Sequence, residues 1–184
     1  MTTLIRNRQI VDDSWLQLED PAGGAAPVLA DGRPVIVSLA VWQAHRALLQ
    51  AHRGGIGLLL AADAALESVV PDLPRFALVA VRFPRFGDGR AFSLARLLRE
   101  RCGYRGELRA VGEVVQDQLA EMRRCGFDAY ELRADQDAQA AMQAFHPFSE
   151  EYQGSVEQPL PLFKRREPAS AAGGPAPPRP LPEA

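Results

Sequence analysis

The sequence predicts an α/β fold with a mainly parallel sheet of about five strands and alternating helices. Two observations carry this prediction. Short apolar runs recur along the chain, and each is followed by a segment whose apolar residues fall at helical spacing. This repeat is typical of parallel strands joined by right-handed crossovers, arranged as an open doubly wound sheet or as part of a βα barrel. The predicted strands are residues 35–39, 56–61, 76–81, 107–111 and 126–132.

Residues 1–27 are interpreted as N-terminal strands and a linker. Apolar and polar residues alternate through residues 1–20, which predicts two or three short antiparallel strands forming an edge or a cover. The stretch 21–27 begins and ends with proline and contains two glycines, so it is interpreted as a flexible link.

Residues 28–152 are interpreted as the α/β domain. In its first half, a helix over residues 41–52 should follow the first strand and end at Gly54-Gly55. A weak helix should follow the second strand, and the prolines at 71 and 74 make a turn into the third.

The third strand leads into the most informative stretch of the chain. Pro84 should end this strand, because proline cannot donate to a ladder hydrogen bond. Gly87-Asp88-Gly89 then permits a tight turn, and Asp88 is placed to cap a helix that begins near Arg90.

The last two units follow the same plan. A helix ending at Arg124 should follow the fourth strand, and Asp135 is placed to cap a final helix over residues 138–145. His146-Pro147 should end that helix, because proline disfavours the helical conformation of the residue before it.

Residues 153–184 are interpreted as a disordered tail. Eight of the fifteen prolines lie between Pro159 and Pro182, mixed with alanine and glycine. Such a segment buries too little apolar surface to offset the entropy of ordering it. Leu160, Leu162 and Phe163 could form a short docking motif at its start.

Composition excludes several classes of function. A net charge of −2 gives no electrostatic footprint for nucleic acid, and no apolar run is long enough to span a membrane. The first residues lack an apolar signal region, so a cytoplasmic location is expected. Two separate cysteines and three scattered histidines predict no metal site, and no glycine-rich nucleotide motif occurs, so no cofactor is predicted.

Charged residues gather where parallel strands should end. Arg85 and Arg90 lie beside the predicted start of a helix, which suits a phosphate, sulfate or carboxylate. Asp88 and Ser93 belong to the same loop and first helical turn. The alternative is structural: Asp88 caps the helix while both arginines pair with acids on neighbouring loops.

Two acids after the fourth strand are weak catalytic candidates. Glu113 or Asp117 could act as a general base, although carboxylates at strand ends also serve as ordinary helix caps.

The chain carries a specific, ordered set of motifs at residues 83–99, which begin Phe83-Pro84-Arg85-Phe86-Gly87-Asp88-Gly89-Arg90, at residues 103–112, at Asp117-Gln118 and at residues 123–130. Together these stretches resemble one bacterial family, the domain of unknown function 934. The resemblance covers roughly residues 30–150 and implies a role beside sulfite reductase, because members are typically encoded with that haemoprotein and are often labelled oxidoreductases. It supplies no catalytic residues.

Two functions follow as hypotheses. The first is an accessory protein of assimilatory sulfate and sulfite reduction, which contacts the sulfite reductase haemoprotein or its electron donor through a charged surface of Arg85, Asp88, Arg90 and Arg109. The second is a small enzyme or binding protein for a sulfur or phosphate oxyanion at the strand ends. Electron transfer by a bound flavin is a third, weaker alternative. The sequence leaves open whether the protein is catalytic.

Overall fold

One eight-stranded sheet organises the chain in the computed structural model, which describes residues 3–29, 32–145 and 152–166. The strands are β1 (Thr3–Arg6), β2 (Gln9–Val11), β3 (Leu16–Gln17), β4 (Val35–Ser38), β5 (Ile56–Leu60), β6 (Leu78–Phe83), β7 (Glu107–Gly112) and β8 (Ala129–Leu132). The helices are α1 (Leu39–Ala44), α2 (Arg46–Gln50), α3 (Arg90–Glu100), α4 (Leu119–Arg124), α5 (Ala138–Gln143) and α6 (Leu162–Arg166). Short 3-10 segments cover Ala22–Gly24, Leu66–Ser68, Val70–Arg75 and Gln116–Gln118.

The five predicted strands form the parallel centre of this sheet. They lie side by side in sequence order, from β4 to β8, and every neighbouring pair is parallel. Right-handed crossovers between strands in this order place all the connecting helices on one face. A doubly wound sheet needs a reversal of strand order, so the barrel-like alternative is the one observed.

The N-terminal strands belong to the same sheet, which makes the sheet larger and more mixed than predicted. β1 pairs antiparallel with both β2 and β8 at one edge. β3 pairs parallel with β4 at the opposite edge. The predicted antiparallel strands thus form an edge rather than a cover at β1 and β2, whereas the expectation of an antiparallel strand is wrong for β3, which runs parallel to β4.

The chain connection between these two edges shows that the sheet is curled. β2 and β3 are the outermost strands, and seven strand intervals would separate them by about 34 Å in a flat sheet. The five residue steps from Val11 to Leu16 span at most about 18 Å. The edges must therefore approach each other, and the sheet forms a half-barrel.

Residues 12–15, here called the strap, cross the concave face of the half-barrel. The Asp13 carboxylate accepts a hydrogen bond of 2.7 Å from Arg109 in β7. The Trp15 ring lies on Gly55 and Gly57, where a Cβ at Gly57 would come within 3.2 Å of the indole. These contacts involve the amino-terminal halves of the strands, so the strap closes that end.

The two faces of β6 show how the core is divided. Val79, Val81 and Phe83 face the helices and join the main core with residues of α3 and α4. The alternating residues Leu78 and Ala80 face the concave side, in a smaller cluster with Ile36 and Val111. No helix within the described ranges is long and apolar enough to cross a membrane.

Several local predictions differ from the structure. The helix predicted over residues 41–52 is two short helices, because His45 leaves the helical conformation at φ −124° and ψ 30°. The weak helix after β5 is a pair of 3-10 segments. Asp137, rather than Asp135, caps α5 by accepting from the backbone N–H groups of Gln139 and Ala140. The proposed stop at His146-Pro147 lies outside the described residues.

The segment 152–166 contacts the body of the domain, so the prediction that disorder begins at Gln153 is wrong for these residues. The Val156 backbone donates to the Arg124 carbonyl at 3.0 Å, and Arg123 pairs with Glu157 at 2.7 Å. Ser155 is buried. The remainder of the predicted tail, residues 167–184, lies outside the part of the chain that the structure describes.

Candidate functional site

The loop between β6 and α3 is held by an ion pair between two predicted site residues. Asp88 is buried, and its carboxylate accepts 2.9 Å and 2.6 Å hydrogen bonds from the Arg90 guanidinium. It also accepts from the Arg90 backbone N–H at 3.1 Å. These contacts lower the pKa of Asp88 to about 2. Arg90 also reaches Asp63 at 3.2 Å, so its guanidinium is occupied by carboxylates, as in the structural alternative.

The other predicted residues of this loop are exposed and do not converge. Arg85 and Ser93 are exposed, and neither makes a side-chain hydrogen bond with the described residues. Phe86 is 56% exposed, and its carbonyl accepts a 2.9 Å hydrogen bond from Gln118. The structure therefore places Arg85 and Arg90 on one loop without forming a shared anion pocket from them.

A second charged group lies after β7 and β8. Arg133 pairs with Glu113 at 2.7 Å and with Asp135 at 2.6 Å and 2.7 Å. Arg133 lowers the pKa of Asp135 to about 2. Glu113 thus already holds a cation, and Asp117 is exposed with no side-chain hydrogen bond to the described residues. These two acids are not arranged as an acid–base pair.

Arg109 lies away from the carboxyl ends of the strands, where the other predicted site residues lie. Its assignment to a charged contact surface is therefore wrong. Its side chain is fully buried in the concave face. It pairs with Asp13 of the strap at 2.7 Å and with Glu107 at 2.8 Å. A fully buried guanidinium between two carboxylates is a structural tie, because it attaches the strap to β7.

A cavity lies at the carboxyl end of the half-barrel. Its main lobe has a volume of about 660 Å³ and a second lobe has about 320 Å³. Gln17 and Arg82 line both lobes, so the two are treated as one strand-end cavity. The main lobe is also lined by Leu18, Glu19, Asp20, Ser38, Leu39, Ala40, Leu59, Ala61 and Ala64, and the second lobe by Phe83, Pro84, Val111, Gly112, Glu113 and Glu131.

Arg82 is the exposed cation of this cavity. It follows Leu78 and Ala80 in the alternation of β6, so the side chain emerges on the concave side near the end of the strand. It makes no hydrogen bond or ion pair with residues 3–29, 32–145 or 152–166. A guanidinium carries five N–H donors, all of which are available here.

The neighbouring strand shapes the position of Arg82. Gly112 has a φ of +92°, and a Cβ built there would lie 2.5 Å from the Phe83 carbonyl and 3.5 Å from Cγ of Arg82. The absence of a side chain at Gly112 lets the Phe83 carbonyl, next to Arg82 in β6, approach β7 closely. Glu131 lines the same lobe, where burial raises its pKa and the charge of Arg82 acts in the opposite direction.

Sequence reasoning missed Arg82 because the residue lies inside a strand rather than in a motif. A signal was present in the alternation. Positions 78 and 80 are apolar, and position 82 of the same face is charged just before Pro84 ends the strand. A single charge at the end of a buried face marks the point where that face meets solvent.

Histidine and cysteine add no chemistry to this cavity. Within the described residues there is no group of three or more His, Cys, Asp and Glu side chains that could hold a metal ion. A ring nitrogen of His52 lies 2.8 Å from the Arg33 carbonyl. Burial raises the pKa of the Cys125 thiol to about 11, and Cys102 is partly exposed.

The fold and cavity define a half-barrel α/β protein with an exposed arginine at its open end. The chain belongs to the family described as bacterial protein of unknown function, DUF934, whose model matches residues 57–163. The resemblance seen in the sequence is thus confirmed. The match begins later and ends later than the 30–150 expected, and it includes Arg82 and most of the segment 152–166. None of the curated proteins matches the chain.

Proposed function

We propose that this protein binds a sulfur or phosphate oxyanion in the strand-end cavity, with Arg82 as the anion-binding group. The observation that carries the proposal is an arginine without a hydrogen-bonding partner among the described residues, lining both lobes of the strand-end cavity. Charge-assisted hydrogen bonds from a guanidinium are the strongest single contacts that a protein offers to such anions.

The surroundings of the other arginines support this choice. Arg90 and Arg133 are each held by two carboxylates, and Arg109 is buried between two more. An anion at any of these would have to displace existing ion pairs. An anion that binds Arg82 would not have to displace an ion pair between described residues.

The same arrangement supports binding rather than proton transfer. Glu113 is paired with Arg133, and Asp117 is not among the residues that line the cavity. A general base must reach the proton that it removes. Glu131 is the carboxylate that shares a lobe with Arg82 and lacks a hydrogen-bonded cation among the described residues, so it is the group to examine if turnover is found.

A second proposal is an accessory role in sulfite reduction through contact with sulfite reductase or its electron donor. The family resemblance motivates this role. The feature of the surface that favours it is the exposed pair Arg85 and Phe86, on the loop that follows β6 directly after Arg82 and Phe83. An exposed arginine beside an exposed aromatic ring is a combination enriched at protein interfaces.

A thermal-shift series with sulfite, sulfate and phosphate tests the first proposal. A ligand that binds only the native state raises its stability, by about 1.4 kcal/mol at ten times the Kd. For a domain of this size that corresponds to a shift of roughly 3–6 °C. Arg82→Gln should remove the shift, whereas the matched variant Arg85→Gln should retain it. Equal shifts in both variants would refute the assignment to Arg82.

Binding to immobilised sulfite reductase tests the second proposal. We expect the wild-type protein to bind and to change sulfite turnover, and the double variant Arg85→Gln/Phe86→Ser to lose both effects. Arg82→Gln serves as the control, because its side chain lies in the cavity rather than on the loop. No binding by the wild-type protein would reject a direct complex while leaving the oxyanion proposal in place.

A further inference from the structure

The strand-end cavity is too large for an inorganic oxyanion alone. A water molecule occupies about 30 Å³ in the liquid, so a four-oxygen anion fills on the order of 100 Å³. The main lobe alone measures about 660 Å³, within the range of pockets that hold organic ligands. An inorganic anion at Arg82 would leave most of this volume to solvent.

The two lobes differ in chemistry. The main lobe has a wall of aliphatic side chains, including Leu39, Leu59 and Ala61. The second lobe is narrower and polar, with Gln17, Arg82 and Glu131 among its lining residues. Because Arg82 lines both, a ligand with its charged group at Arg82 can extend an apolar body along the aliphatic wall.

The charges around Arg82 limit the charge of the ligand. Glu113 and Glu131 line the second lobe, and Glu19 and Asp20 line the main lobe. Arg133 forms an ion pair with Glu113, and the charge of Arg109 acts against the rise that burial causes in the pKa of Glu131. Neither of these arginines lines the cavity, so Arg82 is the one cation among the lining residues. Arg82 can neutralise one negative charge on the ligand. A second negative charge would be repelled by the lining carboxylates, because the lining residues include no further cation.

We propose that the ligand is an organic monoanion, with its charged group at Arg82 and an apolar body in the main lobe. Organic sulfate monoesters and sulfonates carry this charge at neutral pH. This inference rests on the proposed oxyanion function and narrows its ligand class.

Titration calorimetry with three simple probes tests the proposal. Phenyl sulfate carries both parts of the ligand, methyl sulfate carries the same monoanionic group without the ring, and phenol carries the ring alone. We expect phenyl sulfate to bind at least roughly tenfold more tightly than either of the others, because ring burial adds to the charged contact. Phenyl phosphate at pH 8, a dianion of the same shape, should bind more weakly than phenyl sulfate.

Variants of the aliphatic wall separate the two parts of the site. Ala40→Leu/Ala61→Leu places larger side chains at two exposed positions that line the main lobe. It should weaken phenyl sulfate binding by about tenfold and leave methyl sulfate binding unchanged. Ala47→Leu, at an exposed position of α2 that does not line the cavity, is the matched control and should alter neither affinity.

Each outcome bears on a different claim. If methyl sulfate and phenyl sulfate bind equally, the inference of an apolar body in the main lobe is overturned and the oxyanion function stands. If neither binds, both the inference and the proposed function are refuted. If phenol matches phenyl sulfate and Arg82→Gln has no effect, the site is apolar and Arg82 is not its anion-binding group. Tighter binding of phenyl phosphate would overturn the restriction to monoanions.

Discussion

Arg109 and Arg82 lie on the concave face of adjacent strands, and their surroundings are opposite. Arg109 is fully buried and pairs with Asp13 and Glu107. Arg82 is exposed in the strand-end cavity and has no hydrogen-bonded partner among the described residues. In the strand register, Arg109 lies beside Ala80, and Arg82 lies beside Val111, one alternation nearer the carboxyl end.

The difference follows from the strap. Residues 12–15 cross the half-barrel at the amino-terminal halves of the strands and bring Asp13 to Arg109. The strap does not supply a carboxylate to the level of Arg82. The same type of side chain is therefore a structural tie at the closed end and an available cation at the open end. Position along the strand, more than residue type, separates the two roles.

The largest expected effect is the loss of stability when the ion pairs of Arg109 with the strap and with β7 are removed. Arg109→Ala should lower the free energy of unfolding by about 3–5 kcal/mol, because it removes a fully buried side chain, leaves Asp13 without its cation and leaves Glu107 with the more distant Arg6 at 3.6 Å. Arg82→Ala should change it by less than about 0.5 kcal/mol. Urea unfolding of both variants measures the comparison. Similar losses would show that Arg82 is structural too.

The next effect is expected at Gly112, beside the stem of Arg82. Gly112→Ala combines a left-handed φ with a contact of 2.5 Å to the Phe83 carbonyl, so it should cost about 2 kcal/mol or more. Gly89→Ala is the control, since its Cβ meets no atom within 4 Å and its φ is −76°. If both substitutions are tolerated equally, the close approach of β6 and β7 at this point is wrong.

A smaller effect on stability is expected from the ion pair between Asp88 and Arg90, which lies outside the cavity. The pKa of Asp88 is about 2, below the ordinary value near 3.9, so its pairing with Arg90 stabilises the fold above about pH 4. This contribution should disappear as the pH falls from about 4 to 2. The stability difference between wild type and Asp88→Asn, measured in urea at pH 6 and at pH 2.5, should shrink accordingly. A difference independent of pH would contradict the ion pair.

The smallest effect concerns the closed end of the domain. Cys125 is 4% exposed and the pKa of its thiol is raised to about 11, so it should resist alkylation at pH 8. Cys102 is partly exposed and should react first. Mass spectrometry after iodoacetamide treatment in the absence and presence of urea distinguishes the two thiols. Rapid labelling of Cys125 in the folded protein would show that this end is open.

Local patterns predicted the centre of the fold well. The apolar run before Pro84, the Gly87-Asp88-Gly89 turn and the helical spacing after Arg90 reproduce β6, the loop and α3. Such signals depend on neighbours in sequence, which is why they can be read from a single chain. The alternative in which Asp88 caps the helix is met only in part: its carboxylate accepts from the Arg90 backbone N–H, but the N-cap residue of α3 is Gly89.

Long-range relations could not be predicted in this way. The pairing of β1 with β8 and of β3 with β4 depends on closure of the sheet. The alternation in residues 1–20 indicates strands, but it does not indicate which strands they will pair with. Arg109 appeared as an ordinary charged residue of a strand because its partner Asp13 lies 96 positions away. Arg82 did carry a local signal in the alternation of β6, but that pattern alone does not show that the strap leaves this end of the concave face open.

The most direct test is to locate an anion in the protein. Selenate resembles sulfate, and the anomalous scattering of selenium would fix its position in a crystal of the wild-type protein. We predict a selenium peak whose oxygens lie within hydrogen-bonding distance of the Arg82 guanidinium, about 2.7–2.9 Å. A peak at Arg85 and Arg90 instead, or none at Arg82, would contradict the central claim.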